Sequence, residues 1–203
     1  MNVGETVVDD FQYVSTTTDG MIRMRRRFYL IFILFLFFGV SQGSHQISVA
    51  AEFKIRSPAY ENNGNISEKY TCDGMNVNPP LKIENIPLQT KSLVLIFDDI
   101  DAPRGSYVHW IVWNIDPMIK EIQENSVPEG AMQGMNDFKR RDYGGPCPPG
   151  RAHKYVFKIY ALDSLLDMNP NSTKKDLEKA IAKHKIAQAQ WTGVYKRRNP
   201  SKK

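Results

Sequence analysis

Cysteine is scarce in this 203-residue chain. Cys72 and Cys147 are the only two, and neither a Cys-x-x-Cys pair nor any zinc-type spacing can be made from them. Long apolar runs are scarce as well: the unbroken stretch from Phe28 to Phe38 falls short of the roughly 20 residues that a transmembrane helix needs. Residues 52–197 hold no Gly-x-Ser-x-Gly elbow, the usual marker of a serine hydrolase. Acid is missing from the C-terminus, where Lys196, Arg197, Arg198, Lys202 and Lys203 meet no Asp or Glu. With a formal net charge of +5, the rest of the chain is neutral overall. No basic face with interleaved aromatics is present, so a nucleic-acid partner is not expected. The tail reads as solvated terminal charge, with a weak anchor to an anionic membrane or nucleic acid as the alternative.

What remains is the composition of an ordinary globular protein, 41% hydrophobic, with room for one domain and extensions. The N-terminus stands apart. Arg25, Arg26 and Arg27 precede the apolar run, and Val49-Ala50-Ala51 gives a small-x-small site, the order of a secretory signal over 24–51. Cleavage near Ala51 and a periplasmic or secreted protein are the resulting expectations. Residues 1–23 are polar and unpatterned ahead of that signal, a non-native or disordered extension, and Met24 is the expected true start. Export would place Cys72 and Cys147 where thiols bond; two buried free thiols are the alternative.

Along the mature chain, Phe53 to Arg56 and Leu81 to Ile83 alternate as short strands, and Leu93 to Phe97 is apolar throughout, a strand buried on both faces. From His109 the alternation places His109, Ile111, Trp113 and Ile115 on one side and Trp110, Val112 and Asn114 on the other. His153 to Tyr160 keeps period two, so His153 and Tyr155 share the row of Phe157 and Ile159. Thr173, Asp176, Leu177, Ile181 and His184 outline one capped helix, with His184 at its surface end. Ala187 to Tyr195 alternates as a last strand. Seven or eight short strands and one helix predict an all-β dominated fold, an antiparallel Greek-key β-sandwich with short peripheral helices over 52–197, with a basic tail over 198–203.

Two stretches carry candidate chemistry. In the first, Asp98, Asp99 and Asp101 end an apolar strand, Pro103-Arg104-Gly105-Ser106 turns, and the next apolar run begins near His109. Packing asks for no such set of acids, since Asp is a poor strand residue and burying its charge is costly. In the second, Gly144-Gly145-Pro146-Cys147-Pro148-Pro149-Gly150 is a stiff loop that leads into His153 and Tyr155. The long polar segment 118–142 between them is expected to be functional or to hide short elements.

Asp99-Ile100-Asp101-Ala102-Pro103 with His109-Trp110, and Gly145 to Gly150 with His153-Lys154-Tyr155, resemble the two signature blocks of the phosphatidylethanolamine-binding protein family. They are most similar to its bacterial branch, often labelled Raf-kinase-inhibitor-like. The resemblance spans most of 53–197. It implies a β-sandwich whose shallow end pocket takes small anions or a phosphoethanolamine-type head group, with Asp99, Asp101, Pro103, His109, Pro149, His153 and Tyr155 as pocket members. Ile100 stands where the family usually has proline and Lys154 where arginine is commoner, and the long C-terminal helix of eukaryotic members is not evident.

The expected chemistry has Asp99 and Asp101 accepting hydrogen bonds from the two imidazoles, raising their pKa, so that both rings, Tyr155 and loop amides face the anion. No cofactor, resident metal or catalysis is expected. Alternatives are a modulator of a protease or signalling protein acting through 118–142, a hydrolase using Asp-His pairs as general acid and base, against which Ser106 sits in a turn with no identified base, and a two-His, one-Asp metal site.

Overall fold

The structure, a computed structural model, describes residues 51–198. The expected extension over 1–23, the signal segment apart from Ala51, and residues 199–203 of the tail lie outside it. The described elements are β1 (Lys54–Arg56), β2 (Gly64–Asn65), β3 (Leu81–Glu84), β4 (Ser92–Asp99), β5 (Tyr107–Ile115), β6 (Glu121–Ile122), β7 (Met132–Gln133), β8 (His153–Leu162), α1 (Lys174–His184) and β9 (Lys185–Tyr195), with a 3-10 turn at Glu68–Tyr70. The segment 118–142 therefore hides two short strands. The small sheet runs β1-β3-β6 and the large one β2-β9-β8-β4-β5-β7; every pairing is antiparallel except β2 with β9.

Strand β4 is buried along its whole length because both of its faces are covered. Leu93, Leu95 and Phe97 face the small sheet, among Ile55, Leu81, Ile83, Trp110 and Phe157. Val94 and Ile96 face the other way, with Ile111, Trp113, Leu177 and Ile181 under α1. A strand with no solvent face has no reason to alternate, which is why the run is continuously apolar. Fully buried Phe97, Trp110 and Phe157 would each cost about 3–5 kcal/mol to truncate to Ala. Helix α1 is set by a reciprocal cap: the Thr173 hydroxyl and Asp176 carboxylate pair, Oγ1 to Oδ2 2.8 Å, and Leu177 and Ile181 are the buried stripe. His184 is partly exposed beside Asp163, 2.9 Å away.

The alternation expected for β5 does not hold. The pairing with β4 slips twice, between the Phe97–Trp110 and Asp98–Val108 pairs and again between the Leu93–Ile115 and Leu95–Val112 pairs, where Asn114 has φ 55°. Each bulge inserts one residue and reverses the phase of the strand beyond it. His109 thus joins the side of Trp110 and Val112, with Phe97 and Tyr155, and Ile115 returns to that same core.

Cys72 and Cys147 are bonded, Cα to Cα 5.5 Å across a separation of 75 residues. In the chain-entropy model, closing such a loop stabilises by about 4–5 kcal/mol. Beside it the expectation of a wholly solvated C-terminal charge run fails at Arg197, which is buried and grips Asp73 through Nε and Nη2 at 3.0 and 2.7 Å. Tyr195 adds a hydroxyl bond to the same carboxylate at 2.8 Å, and Arg197 holds Asp73 below the usual carboxylate range. Lys196 and Arg198 on either side are exposed.

Candidate functional site

Three strand ends meet at one end of the sandwich: the last residue of β4, the bulged start of β5 and the first residues of β8. Asp99 lies across from Tyr155 and, on β5, from Tyr107. The result is a cluster of Asp99, His109, His153 and Tyr155, all buried. The His153 and Tyr155 rings stack at 6.4 Å between centroids, and His109 meets Tyr155 edge-on at 5.3 Å. Phe138, from the long segment after β7, closes over His109 at 5.1 Å.

Each group has a fixed role. His153 Nδ1 lies 2.7 Å from Asp99 Oδ2, and the ionised carboxylate can only accept, so Nδ1 carries the proton and Nε2 is the free end. Asp99 Oδ1 accepts the Asp101 amide at 2.9 Å, which locks the carboxylate plane. His109 Nδ1 lies 2.7 Å from the Gly144 carbonyl, so it too must donate at Nδ1 and leave Nε2 free. Gly144 N–H returns a bond to the His109 carbonyl at 3.0 Å, and the buried Asn136 amide reaches that carbonyl at 3.3 Å and the Asp142 carbonyl at 2.9 Å. The bulge that turns His109 into the cluster is therefore held by the loop on either side.

The expectation that both imidazoles donate to Asp99 and Asp101 is half right. His153 does so with Asp99; His109 uses Gly144, and the Asp101 carboxylate accepts the Lys154 amide at 2.9 Å. The expected rise in pKa is reversed at His109: burial disfavours its imidazolium and lowers the pKa below 6.5, with the Gly144 carbonyl and then the charge of Asp99 opposing. Burial also raises the Tyr155 pKa far above 10, with the charge of Asp99 reinforcing it. The Tyr155 hydroxyl is buried beside the Asp99 carboxylate and the Cys147 backbone, within their influence but without a well-formed hydrogen bond to either. Among the described residues no set of three or more His, Cys, Asp or Glu is arranged to hold a metal ion.

Asp101 is half-buried at the edge of the cluster, while Pro103 and Pro149 sit exposed in the two flanking loops. Asp98 leaves the group altogether: its side chain points to the α1 face, where its Oδ2 takes Lys158 at 3.0 Å and Lys174 at 2.7 Å. Lys174 also donates to Ser106 at 2.9 Å. Sequence reasoning misses Gly144 and Asn136 as site residues. A backbone carbonyl and one buried amide in a polar loop carry no periodic signal, although the length of 118–142 points to that loop.

The flanking loops form one block. Cys147 is tied to Cys72, the Cys72 amide donates to the Pro146 carbonyl at 3.2 Å, and Asn76 Oδ1 accepts the Gly145 amide at 2.7 Å. A side chain at Gly145 would stand 2.6 Å from Asn76 Oδ1 and 2.7 Å from the Tyr70 carbonyl, so only glycine lets the loops approach.

Comparison with known proteins gives a consistent result. A family model described as phosphatidylethanolamine-binding protein matches residues 56–196. A UPF0098 protein of Pyrococcus horikoshii is 46% identical over 151 residues, 70% of this chain and 76% of its own length. One from Methanothermobacter thermautotrophicus is 40% identical over 148 residues, 70% of this chain and 98% of that protein. Among solved structures, a phosphatidylethanolamine-binding protein homolog from Chlamydia trachomatis superposes with a TM-score of 0.69 at 36% identity, covering 72% of this chain and 98% of that one. YbcL of E. coli, described as a member of the mammalian family, gives 0.69 at 30% identity, covering 73% and 100%.

Proposed function

This chain belongs to the phosphatidylethanolamine-binding protein family, and from that premise we propose that it is an exported binding protein for small phosphorylated anions, including a phosphoethanolamine-type head group, with no chemistry of its own. The observation that carries the reading is the pair of buried imidazoles whose Nδ1 atoms are both engaged, set beside the buried Tyr155 hydroxyl. Their free Nε2 atoms and the phenol are the groups left to meet a ligand.

The two rings do different work. Asp99 holds His153 through Nδ1, so this ring turns Nε2 toward a ligand oxygen. His109 is kept neutral by burial, so its Nε2 accepts, which favours a ligand oxygen that carries a proton. A phosphate monoester supplies both kinds of oxygen near neutral pH; sulfate supplies only acceptors. Tyr155 donates to a second ligand oxygen and so satisfies its own buried hydroxyl. A hydrolytic role for Ser106 has little support, because Lys174 holds that hydroxyl next to Asp98, on the α1 face.

The deciding experiment is calorimetric titration of the full chain with phosphate, phosphoethanolamine and sulfate, beside the His153→Ala variant. Saturable binding of the two phosphates, weaker binding of sulfate and loss of all heat in the variant are expected. Equal affinity of variant and wild type would discard the reading. Export is tested separately by the N-terminus of the protein recovered outside the cytoplasm, expected near Glu52.

A further inference from the structure

Apart from the histidine cluster, an open cleft of about 290 Å³ is lined by Asn76, Asn78, Asn125, Trp110, Gln133 and Tyr143, among others. That is the small end of the range for small-molecule sites, roughly 300–1,000 Å³. Its walls are strapped together. Buried Asn78 accepts the Ser126 amide on Oδ1 at 3.0 Å and donates Nδ2 to the Gln123 carbonyl at 2.9 Å, while the Asn125 amide reaches the Asn78 carbonyl at 3.2 Å. Asn76 and Asn125 both hold left-handed backbone, at φ 58° and 51°, a conformation that few residues other than glycine adopt and that asparagine tolerates best.

Two side-chain amides of this cleft have a fixed orientation. The Trp110 indole can only donate, and its Nε1 lies 2.7 Å from Gln133, so Oε1 faces the indole and Nε2 faces away. The Gly145 amide also can only donate, so Asn76 accepts it on Oδ1 at 2.7 Å and keeps Nδ2. Among the described residues neither Gln133 Nε2 nor Asn76 Nδ2 has a partner, and each carries two N–H groups. Arg140 and Asp142, also lining the cleft and about half exposed, pair at 3.3 Å from Nε to Oδ1, so their charges cancel and the second Asp142 oxygen remains an acceptor. Val77 and the exposed Val127 add apolar surface.

We propose that this cleft is a second binding site and that it takes a neutral sugar unit. An ion of either sign meets its own charge in the Arg140–Asp142 pair, and a hydrocarbon would leave the amide donors unsatisfied. Neighbouring hydroxyls on a sugar ring accept from Gln133 and Asn76 and donate to Asp142 at the same time, while the C–H face of the ring suits Val77 and Val127. Trp110 and Gly145 hold the two amides in place before any ligand arrives, so little ordering is lost on binding. The contacts are few and no aromatic face is open for stacking, so the affinity is millimolar. This site stands apart from the imidazole pair, and its occupancy does not depend on a phosphorylated ligand there.

Saturation-transfer NMR of the full chain with glucose, galactose, mannose and N-acetylglucosamine tests this, alongside Gln133→Glu and Asn76→Asp. Each variant keeps the oxygen that Trp110 or Gly145 needs and exchanges only the free amino group for a second oxygen. Aspartate also tolerates the left-handed backbone at position 76. Near-UV circular dichroism checks that both variants keep the wild-type packing. Saturable transfer to at least one of the four sugars is expected in the wild type, with the dissociation constant raised at least tenfold in each variant and no displacement by added phosphate. No transfer to any of the four would overturn the proposal whatever the variants do. So would affinity within twofold of wild type in both variants, or displacement of the sugar by phosphate, which would put it in the histidine cluster instead.

Discussion

Asp98 and Asp99 are neighbours on β4, both buried carboxylates, and they serve opposite faces of the large sheet. Asp98 is clamped by Lys158 and Lys174 under α1, so its charge is neutralised by primary amines from β8 and from the first turn of the helix. Asp99 takes one histidine and one backbone amide at the open end of the sandwich. The first arrangement ties helix to sheet. The second leaves imidazole nitrogen and phenol unspent. The difference teaches that the chemistry of a carboxylate here is set by the face it occupies: where two lysines grip one of its oxygens it ties helix to sheet, and where a histidine takes it at the open end it orients a ring toward a ligand.

The comparison can be broken most severely at Asp98. Replacing it by Ala strands two lysines, and about 3 kcal/mol of stability is expected to disappear in urea unfolding. That is the low end for such a pair, because Lys158 and Lys174 remain 27% and 16% exposed. Phosphate affinity of the folded variant should stay within about twofold, and a large loss would mean the two faces are coupled. At Asp99 the order reverses. Asp99→Asn keeps an acceptor for His153 but loses the charge, so calorimetry should record phosphate binding weakened about tenfold, roughly 1.4 kcal/mol, with a smaller change in unfolding midpoint.

A pH series sharpens the contrast further. His109 has a folded pKa below its unfolded 6.5 because burial disfavours its charge. Its contribution is therefore fully present above about pH 6.5 and is lost as the pH falls toward the folded value, since the unfolded chain takes up the proton first. Urea midpoints should decline below pH 6.5 in the wild type, and His109→Phe should flatten that decline. The smallest effect is at the helix cap: Thr173→Ala removes the hydroxyl's half of the reciprocal cap and leaves the Thr173 amide on Asp176, costing about 1 kcal/mol on the Asp98 face, with phosphate affinity unchanged.

The helix is legible in the sequence from its cap and from Leu177 and Ile181, and β8 from strict alternation beginning at His153. Both depend on local periodicity, which a single sequence displays. The phase of β5 is not legible, because a bulge is a mismatch between two strands and only the partner reveals it. For the same reason simple alternation puts His109 on the face of Ile111. Asp98 groups with Asp99 by adjacency, although alternation within β4 already separates them. Arg197 is indistinguishable from Lys196 and Arg198 in the sequence, since its partner Asp73 is more than a hundred residues away in the chain.

By itself the sequence determined the strand-rich class, the two blocks that carry Asp99, His109, His153 and Tyr155, and the single pair of cysteines that could bond. Residue type, spacing and count are enough for these. Tertiary structure alone decided which carboxylate meets which base, that Gly144 rather than Asp101 fixes His109, and that burial keeps that ring neutral. Each of these depends on the distance between groups far apart in the chain, and hydrogen bonds and desolvation act only once that distance is closed.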